Sequence, residues 1–528
     1  MKADVVVIGA GHNGMVAAAL LARAGRRVIV CDALEEVGGL SSFIPIHPGF
    51  KAPLAHLDTS SFHPDLVALL DLDRHGLEWA DPVPIHCLGP DHPPFELRMD
   101  AESGPAALET LSRPDADAFE KTARFIRTIK RVVNETLATP PPPLAMASLG
   151  DFMALGSRGL ALRLLGRRDM YELLRILPMC AADWLRERFE TPALIEALAA
   201  EGMHRSFAGP WSAWTCALLL MKWCQTGNPV KGGAPALIDA LHRAARAAGA
   251  DFRMGAPVRR IVLHDDAVAG VRLDDGERIE APAVLATIHP REVMTRLLPP
   301  DGAPPGLVRR MGAFRSRGIT ALIHFALDGD IDLKDAPGVH ARRLRIGLGD
   351  VDRLEQCFDA AKYGQIPERV HLEVAIPSRE HDELAPDGGH VLSAWIGFVP
   401  PLDPRRPDSK NEGHEGNETA IQDEVLEKVR ALLDRHITGF RSRVRDHVLL
   451  MPRDIEAAAH VPGGHLFHGE HAADQLYFMR PSFDCARYET PVRGLFLGGS
   501  GTHPGGGLSG LPGLLAANAL LGADDEAR

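Results

Sequence analysis

The sequence predicts an α/β protein of at least two domains, with strand–helix units supplied by both ends of the chain. Three observations carry that expectation. The first is length: 528 residues exceed what one simple core supports, so the chain should divide. The second is the opening stretch "ADVVVIGAGHNGMVAAALLARAGRRVIVCDA", which reads strand, glycine turn, helix, strand. The third is "GLFLGGSGTHPGGGLSGLPGLLAANALL" near the other end, which reads strand, glycine turn, helix again.

At the amino end, Val5 to Ile8 is a continuous β-branched run, the pattern of a strand buried on both faces. Gly9, Gly11 and Gly14 then give GxGxxG. Gly9 would make the tight turn, Gly11 would let a pyrophosphate approach the backbone, and Gly14 would let helix and sheet pack closely. Met15 to Ala24 is a helical run that stops at Gly25. Val28 to Val30 forms the second strand, ending at Asp32, whose carboxylate suits the hydroxyls of an adenosine ribose. Strand, turn, helix, strand and acid stand at the spacing a dinucleotide site needs, where a lone GxGxxG would be weak evidence. The alternative is a turn that serves packing alone. Asn13, inside the turn, joins the expected cofactor contacts. Gly38 and Gly39 in "EEVGGLSSF" then supply a second glycine pair. FAD proteins of the glutathione-reductase type bring such a pair to the diphosphate, and nicotinamide folds lack it. FAD is the expected cofactor.

Composition narrows the partners. A formal charge of −12 argues against nucleic acid, whose phosphates attract basic surfaces. The seven cysteines include no CxxC pair, which points to reduced thiols rather than a disulfide framework or zinc site. Asp4 just before the first strand is unlike a secretory signal, and no uncharged run reaches the roughly 18–20 residues of a membrane span. The expectation is a cytoplasmic protein, at most peripheral to a membrane, of open oligomeric state.

With these motifs in hand, the chain resembles the phytoene desaturase-like family of FAD oxidoreductases, which includes carotenoid desaturases and isomerases, retinol saturase and β-carotene ketolases. Within it, the nearest branch is the one containing pyridine nucleotide-disulfide oxidoreductase domain-containing protein 2. The resemblance rests on "VIGAGHNGMVAA", "GGLSSFIPIHPGFKAP", "KGGAPALIDAL", "GGHLFHGEHAADQLYFMRP" and "GLFLGGSGTHPGGGLSGLPG", spread along the whole chain. It implies a Rossmann-like FAD-binding domain of glutathione-reductase type, discontinuous in sequence, with a substrate domain on a mixed or antiparallel sheet carrying helices. The FAD domain would comprise residues 1–75, 226–295 and 485–528. The substrate domain would comprise 76–225 and 296–484, with its helical part at about 105–225. The resemblance also implies that Val258 touches the adenine through its backbone.

Read locally, "GADFRMGAPVRRIVLHDDAVAGVRLDDGERIEAPAVLATIHP" looks like successive strands with a hairpin turn at Asp274 to Gly276. "RVHLEVAIPS" and "HVLSAWIGFVPP" look like strands of a second sheet. Residues 400–419 read as a polar, proline-broken loop. At the carboxyl end Phe496 and Leu497 close a strand and Leu514 to Leu521 form an apolar helix. Gly499, Ser500, Gly507, Leu508 and Ser509 are the expected flavin contacts there. Gly505, Gly506 and Gly507 would lack a Cβ because the flavin edge leaves no room. The helix N-terminus near Leu508 and Ser509 would stabilise negative charge on the ring. A loop packed on protein alone is the competing reading.

Several flavoenzyme classes can be weighed. A disulfide reductase needs a cysteine pair and a second GxGxxG, and neither is present; Gly347 to Gly349 lacks the third glycine. Electrons would therefore leave to a quinone or O₂, or return to the product in an isomerisation. An amine oxidase would carry an arginine beside Gly38–Gly39, where Val37 and Leu40 stand, and an aromatic cage, for which Tyr477 and Tyr488 are candidates. The resemblance favours redox chemistry at C–C bonds of a long hydrophobic, polyene or lipid-like molecule, held in an aliphatic tunnel. Desaturation, saturation, isomerisation and ketolation stay open. A prenyl-binding protein of the GDP dissociation inhibitor type is a non-catalytic rival, which the intact glycine motifs oppose. His503 and His56 are the candidate acid–base groups, with backbone hydrogen bonding as the plainer role for His503. His465, His468 and His471 recur every three residues, but with no carboxylate pattern no metal is expected. "SRGLALRLLGRRDMYELLRILPM" reads either as a basic amphipathic helix lying on an anionic bilayer or as a helix packed on the substrate domain.

Overall fold

A computed structural model describes residues 1–99, 103–143, 149–401 and 414–526. Val5–Ile8 sits at the centre of a five-stranded, all-parallel sheet. Val28–Cys31 and then Asp251–Arg253 lie on one side of it, Ala283–Ala286 and then Leu495–Leu497 on the other. Both ends of the chain thus build one sheet. Apart from the edge strand Asp251–Arg253, its strands are apolar on both faces because helices cover one face and a three-stranded antiparallel sheet the other, as parallel sheets require. That small sheet is made of Val258–His264, Ala267–Leu273 and Arg278–Glu280. Its predicted hairpin is present: the Gly276 N–H donates to the Leu273 carbonyl, with Gly276 at φ +91°.

The second sheet has seven strands, ordered 444–450, 320–328, 389–397, 371–375, 343–346, 85–88 and 95–97. Every pairing is antiparallel except that of Arg343–Ile346 with Ile85–Leu88. Helices within 104–225 pack against it around a core that includes Trp184, Leu194 and Leu198.

Several element boundaries differ from expectation. The first helix is His12–Arg23 and the last is Leu511–Glu526, each beginning a few residues earlier than the apolar run alone indicates. The arginine-rich segment is two helices, Leu149–Leu164 and Gly166–Ile176, broken where Gly166 adopts φ +83°. Of the predicted polar loop, residues 402–413 lie outside the described residues and 414–419 begin the helix His414–His436. Among the described residues, no helix is long and apolar enough to cross a membrane.

Candidate functional site

The first strand ends in the glycine turn, and each glycine there has a distinct reason. Gly9 takes φ +108°, a conformation that disfavours side chains. A Cβ on Gly14 would lie 1.9 Å from the Gly9 carbonyl oxygen, so this residue sets the helix–strand contact. Gly11 has open space before it and faces a cavity of about 450 Å³. The second glycine pair borders the same cavity: the Gly38 N–H donates to the Ala10 carbonyl at 3.0 Å. Asp32 and Val258 also line it. Burial pushes the Asp32 carboxyl up, and backbone N–H groups oppose that, Ala10 donating at 2.6 Å and Leu34 at 2.8 Å.

The cavity fits a dinucleotide on evidence independent of the motif. Asn13 Oδ1, His12 Nε2, His289 Nε2 and His468 Nδ1 are buried polar atoms without a hydrogen-bond partner, and their residues all line it. Buried polar atoms are normally satisfied, so this cluster marks where a polar ligand belongs. The helix His12–Arg23 begins at the same wall, its N-terminus suited to phosphate.

The far glycine turn meets this one directly. Asn13 Nδ2 donates to Ser500 Oγ at 3.2 Å, a contact across almost the whole sequence. Ser500 lines the cavity; Gly499 packs instead on the Thr287 carbonyl, 2.2 Å from where its Cβ would stand. A Cβ on Gly513 would fall 2.1 Å from the Asn13 carbonyl oxygen. The three consecutive glycines need a correction. Gly505 is kept bare by His471 Nε2, at 2.2 Å from the Cβ position, and Gly506 by the Phe467 backbone, at 2.4 Å. Protein packing, not a cofactor edge, excludes side chains from both. Gly507, at φ +102°, is the one where a Cβ would meet only ordinary contacts, 3.8 Å or more away, and with Leu508 it lines a second cavity. Ser509 lines neither, its carbonyl accepting from the His63 N–H, and the helix starts after it at Leu511.

The second cavity, about 70 Å³, shares His56 and Leu466 with the first. It opens toward a third space of about 320 Å³, with which it shares Asp58, Glu201, Lys222 and Arg343. The third space has an apolar side of Val83, Leu97, Met99, Phe119, Ile126 and Trp223, with Arg127, Lys130 and Glu380 also on its wall. The expected aliphatic tunnel is therefore only half right, because the segment nearest the glycine turns is a collar of charge. Lys222 Nζ lies 2.6 Å and Arg343 3.5 Å from Asp58. Burial alone would raise the Asp58 carboxyl, yet these two cations hold it well below the usual range. Arg345 contacts Glu201 at 2.5 Å and Glu373 at 3.4 Å, and His204 contacts Glu373 at 3.3 Å. No motif announces these residues. One signal was present: Arg343 and Arg345 alternate along an apolar strand, which puts both on one face, and the strand register sets Arg345 opposite Glu373.

His56 stands at the junction of the cavities, its Nδ1 2.7 Å from Ser41 Oγ. Burial, then the neighbouring His12 and His468, push its pKa down to about 3, so the ring is neutral at physiological pH. His503 lines neither cavity. Its Nε2 meets the Thr136 carbonyl at 3.3 Å, its ring packs on Tyr477, and burial lowers its pKa to about 4. That is the plainer, backbone-bonding role. Tyr477 hydrogen-bonds Arg158 and Tyr488 donates to the His503 carbonyl, so neither tyrosine forms a cage over the cavity. His465 and His471 accept backbone N–H groups of Phe467 and Gly506, and His468 lines the cofactor cavity. Among the described residues no cluster of metal-ligating side chains occurs, and all seven cysteines are free and buried.

Comparison with known proteins agrees with this geometry. Residues 14–513 match the family described as flavin containing amine oxidoreductase. The mouse protein named pyridine nucleotide-disulfide oxidoreductase domain-containing protein 2 is 30% identical, over 98% of this chain and 93% of its own length. A neurosporene-forming phytoene desaturase from Cereibacter sphaeroides is 25% identical, over 98% of this chain and 94% of its own. Among solved structures, a cofactor-binding variant of putrescine oxidase superposes with a TM-score of 0.59 at 18% identity, covering 100% of this chain and 99% of that one; the likeness is one of fold.

Proposed function

The chain belongs to the flavin-containing amine oxidoreductase family, and we propose that it works at a C–C bond of a long, lipid-like substrate. It is an FAD-dependent oxidoreductase related to phytoene desaturases. The observation that carries the substrate reading is the chamber of about 320 Å³ walled by Leu97, Met99, Phe119, Ile126 and Trp223, which leads through the collar to the cofactor cavity. Burying apolar surface there contributes about 25 cal/mol per Å², which suits a chain better than a small polar amine. The desaturase relative adds weight, since its named substrate is a long hydrocarbon.

In this reading residues 1–75, 226–295 and 485–528 hold the cofactor, and 76–225 with 296–484 hold the substrate. The backbone of Gly11, Gly38 and Gly39 would receive the diphosphate at the helix N-terminus. Asp32 would take the ribose, Val258 the adenine side, and Asn13 with Ser500 the middle of the molecule. FAD, when bound, would supply a two-electron acceptor for the substrate, one that a quinone or O₂ could reoxidise. The protein aligns the substrate and keeps water from it. His56, neutral and hydrogen-bonded to Ser41, is a base-form group that lines both cavities at their junction, while His503 holds the turn.

The exposed face of the helix Leu149–Leu164 gives the lipid a source. Phe152, Met153, Leu160 and Leu164 are 59%, 65%, 59% and 76% exposed. Arg163, Arg167 and Arg168 stand exposed beside them, whereas Arg158 and Arg175 are engaged by Tyr477 and by Glu172 with Glu187. An apolar face flanked by exposed cations suits peripheral contact with an anionic bilayer.

The deciding assay is anaerobic bleaching of the FAD absorbance by candidate compounds, with mass spectrometry of any lipid that co-purifies. Bleaching by a lipid with a change of two hydrogens in its mass supports the reading; bleaching by putrescine or other amines, and by no lipid, overturns it.

A further inference from the structure

The collar between the cofactor cavity and the apolar chamber is not charge-balanced. Three carboxylates, Asp58, Glu201 and Glu373, share its wall with four cations, Lys222, Arg343, Arg345 and Arg205. The first three cations pair with the carboxylates at 2.5–3.5 Å. Arg205 pairs with none. It is 4% exposed, its Nη1 has no hydrogen-bond partner, and its Nη2 reaches only the neutral Gln225 Oε1 at 3.3 Å. The guanidinium lies over the Phe467 ring, 5.1 Å from the centroid, and Nη2 is 4.0 Å from where a Gly507 Cβ would stand. Arg205 lines this collar and not the cofactor cavity.

A buried cation with no direct ion pair is costly, and Asp58 and Glu201 act on Arg205 only from beyond contact distance. Burial lowers the Arg205 pKa, but only to about 10, so the charge is present at neutral pH. What suits it is a planar anion able to accept two parallel N–H donors. The surplus positive charge also disfavours a protonated amine. We infer that the substrate carries a carboxylate, that Arg205 binds it beside the glycine turn, and that its hydrocarbon part occupies the chamber beyond the collar. This rests on the lipid-like reading and narrows it from an uncharged polyene to an amphiphilic acid.

The test titrates the FAD-loaded protein with dodecanoate, dodecanol and butanoate, following the shift of the flavin visible bands. Dodecanoate should bind about 10- to 100-fold more tightly than dodecanol, the range expected for hydrogen bonds to a charged group. Arg205→Met should abolish that preference. Arg205→Lys, which keeps the charge and serves if the methionine variant misfolds, should retain the preference at lower affinity. Equal binding of acid and alcohol by the unaltered protein overturns the proposal, as does an undiminished preference in Arg205→Met. A methionine variant whose flavin spectrum shifts before any ligand is added, with the acid preference intact, overturns it too, since Arg205 would then serve the flavin. Butanoate separates the two readings. If it binds through Arg205 while neither twelve-carbon compound binds, the carboxylate site stands and the lipid chamber falls. If no carboxylate binds, the inference falls.

Discussion

Replacing Gly513 by alanine tests whether the two glycine turns share one site. The added Cβ would stand 2.1 Å from the Asn13 carbonyl oxygen and 2.9 Å from its carbonyl carbon. An ordinary contact needs 3.4 Å or more, so the first and last helices must separate by about an ångström. Both are buried against the parallel sheet, and neither can yield by rotating a side chain, because the obstacle is backbone. Overpacking of this kind costs about 1–3 kcal/mol. The shift would displace Asn13, whose Nδ2 holds Ser500, so FAD affinity should fall by at least about tenfold, or about 1.4 kcal/mol. Gly522→Ala is the control: it lies in the same helix, exposed, with nothing within 4 Å of its Cβ position. There alanine should stabilise the helix by about 0.5–1 kcal/mol. Denaturant unfolding of the apoprotein and fluorescence titration with FAD read both effects. If Gly513→Ala matches Gly522→Ala in stability and in FAD affinity, the close approach of the two ends is wrong.

Other consequences follow from the same geometry. Burial pushes the imidazoles of His12, His465 and His503 down to about 4 and those of His56 and His468 to about 3. Between pH 6.5 and those values the unfolded chain binds protons that the native chain refuses. Stability therefore rises with pH in that window and is lost on acidification, by up to about 1.4 kcal/mol per pH unit for each ring. Thermal melts should show a steep fall in midpoint from pH 6.5 to 4, and a flat profile would contradict the burial. Leu160→Asp with Leu164→Asp, both at exposed positions, should leave the fold intact and abolish pelleting with phosphatidylglycerol vesicles; undiminished pelleting removes the bilayer reading. Breaking the Glu470 contacts to Arg315 and Arg317 by Glu470→Gln should cost about 1–3 kcal/mol, since both arginines are half-exposed and Arg315 keeps Asp474, and a variant as stable as the parent would deny that carboxylate its role.

The cofactor half of the site was legible because its chemistry is local. Gly9, Gly11, Gly14 and Asp32 lie within one strand–helix–strand unit, and their spacing alone specifies the turn. The far turn was legible as a motif but not in its detail. Nothing near Gly505 or Gly506 in sequence announces that His471 and Phe467 fill the space beside them. His503 misled for the same reason: a histidine in a cofactor-bearing turn points wherever its backbone sends it, here to Thr136. The arginine-rich segment read as one helix because apolar periodicity runs through Gly166, whose left-handed backbone breaks it. The collar was least legible of all. Its residues come from separate stretches around positions 58, 201–205, 222, 343–345 and 373, and only the folded sheet brings them into one ring.

The contrast between cofactor cavity and collar constrains how charge is handled. FAD brings a diphosphate, yet four histidines on its cavity wall are held neutral: His12 by a value near 4, His56 and His468 by values near 3, and His289 well below the ordinary value. Arg296 on the same wall is paired with Glu292, so negative charge there would be met mainly by backbone N–H groups and the start of the helix His12–Arg23, partial charges that involve no proton exchange. The collar does the opposite, concentrating full charges at one constriction, with Asp58 and Glu373 both held ionised by the cations beside them. A neutral hydrocarbon drawn through that constriction would strip water from the ion pairs and offer nothing in return. An acid whose carboxylate ends there gives Arg205 the direct ion pair it lacks while its chain stays in the chamber beyond. Discrimination among lipids would then be exercised at the collar.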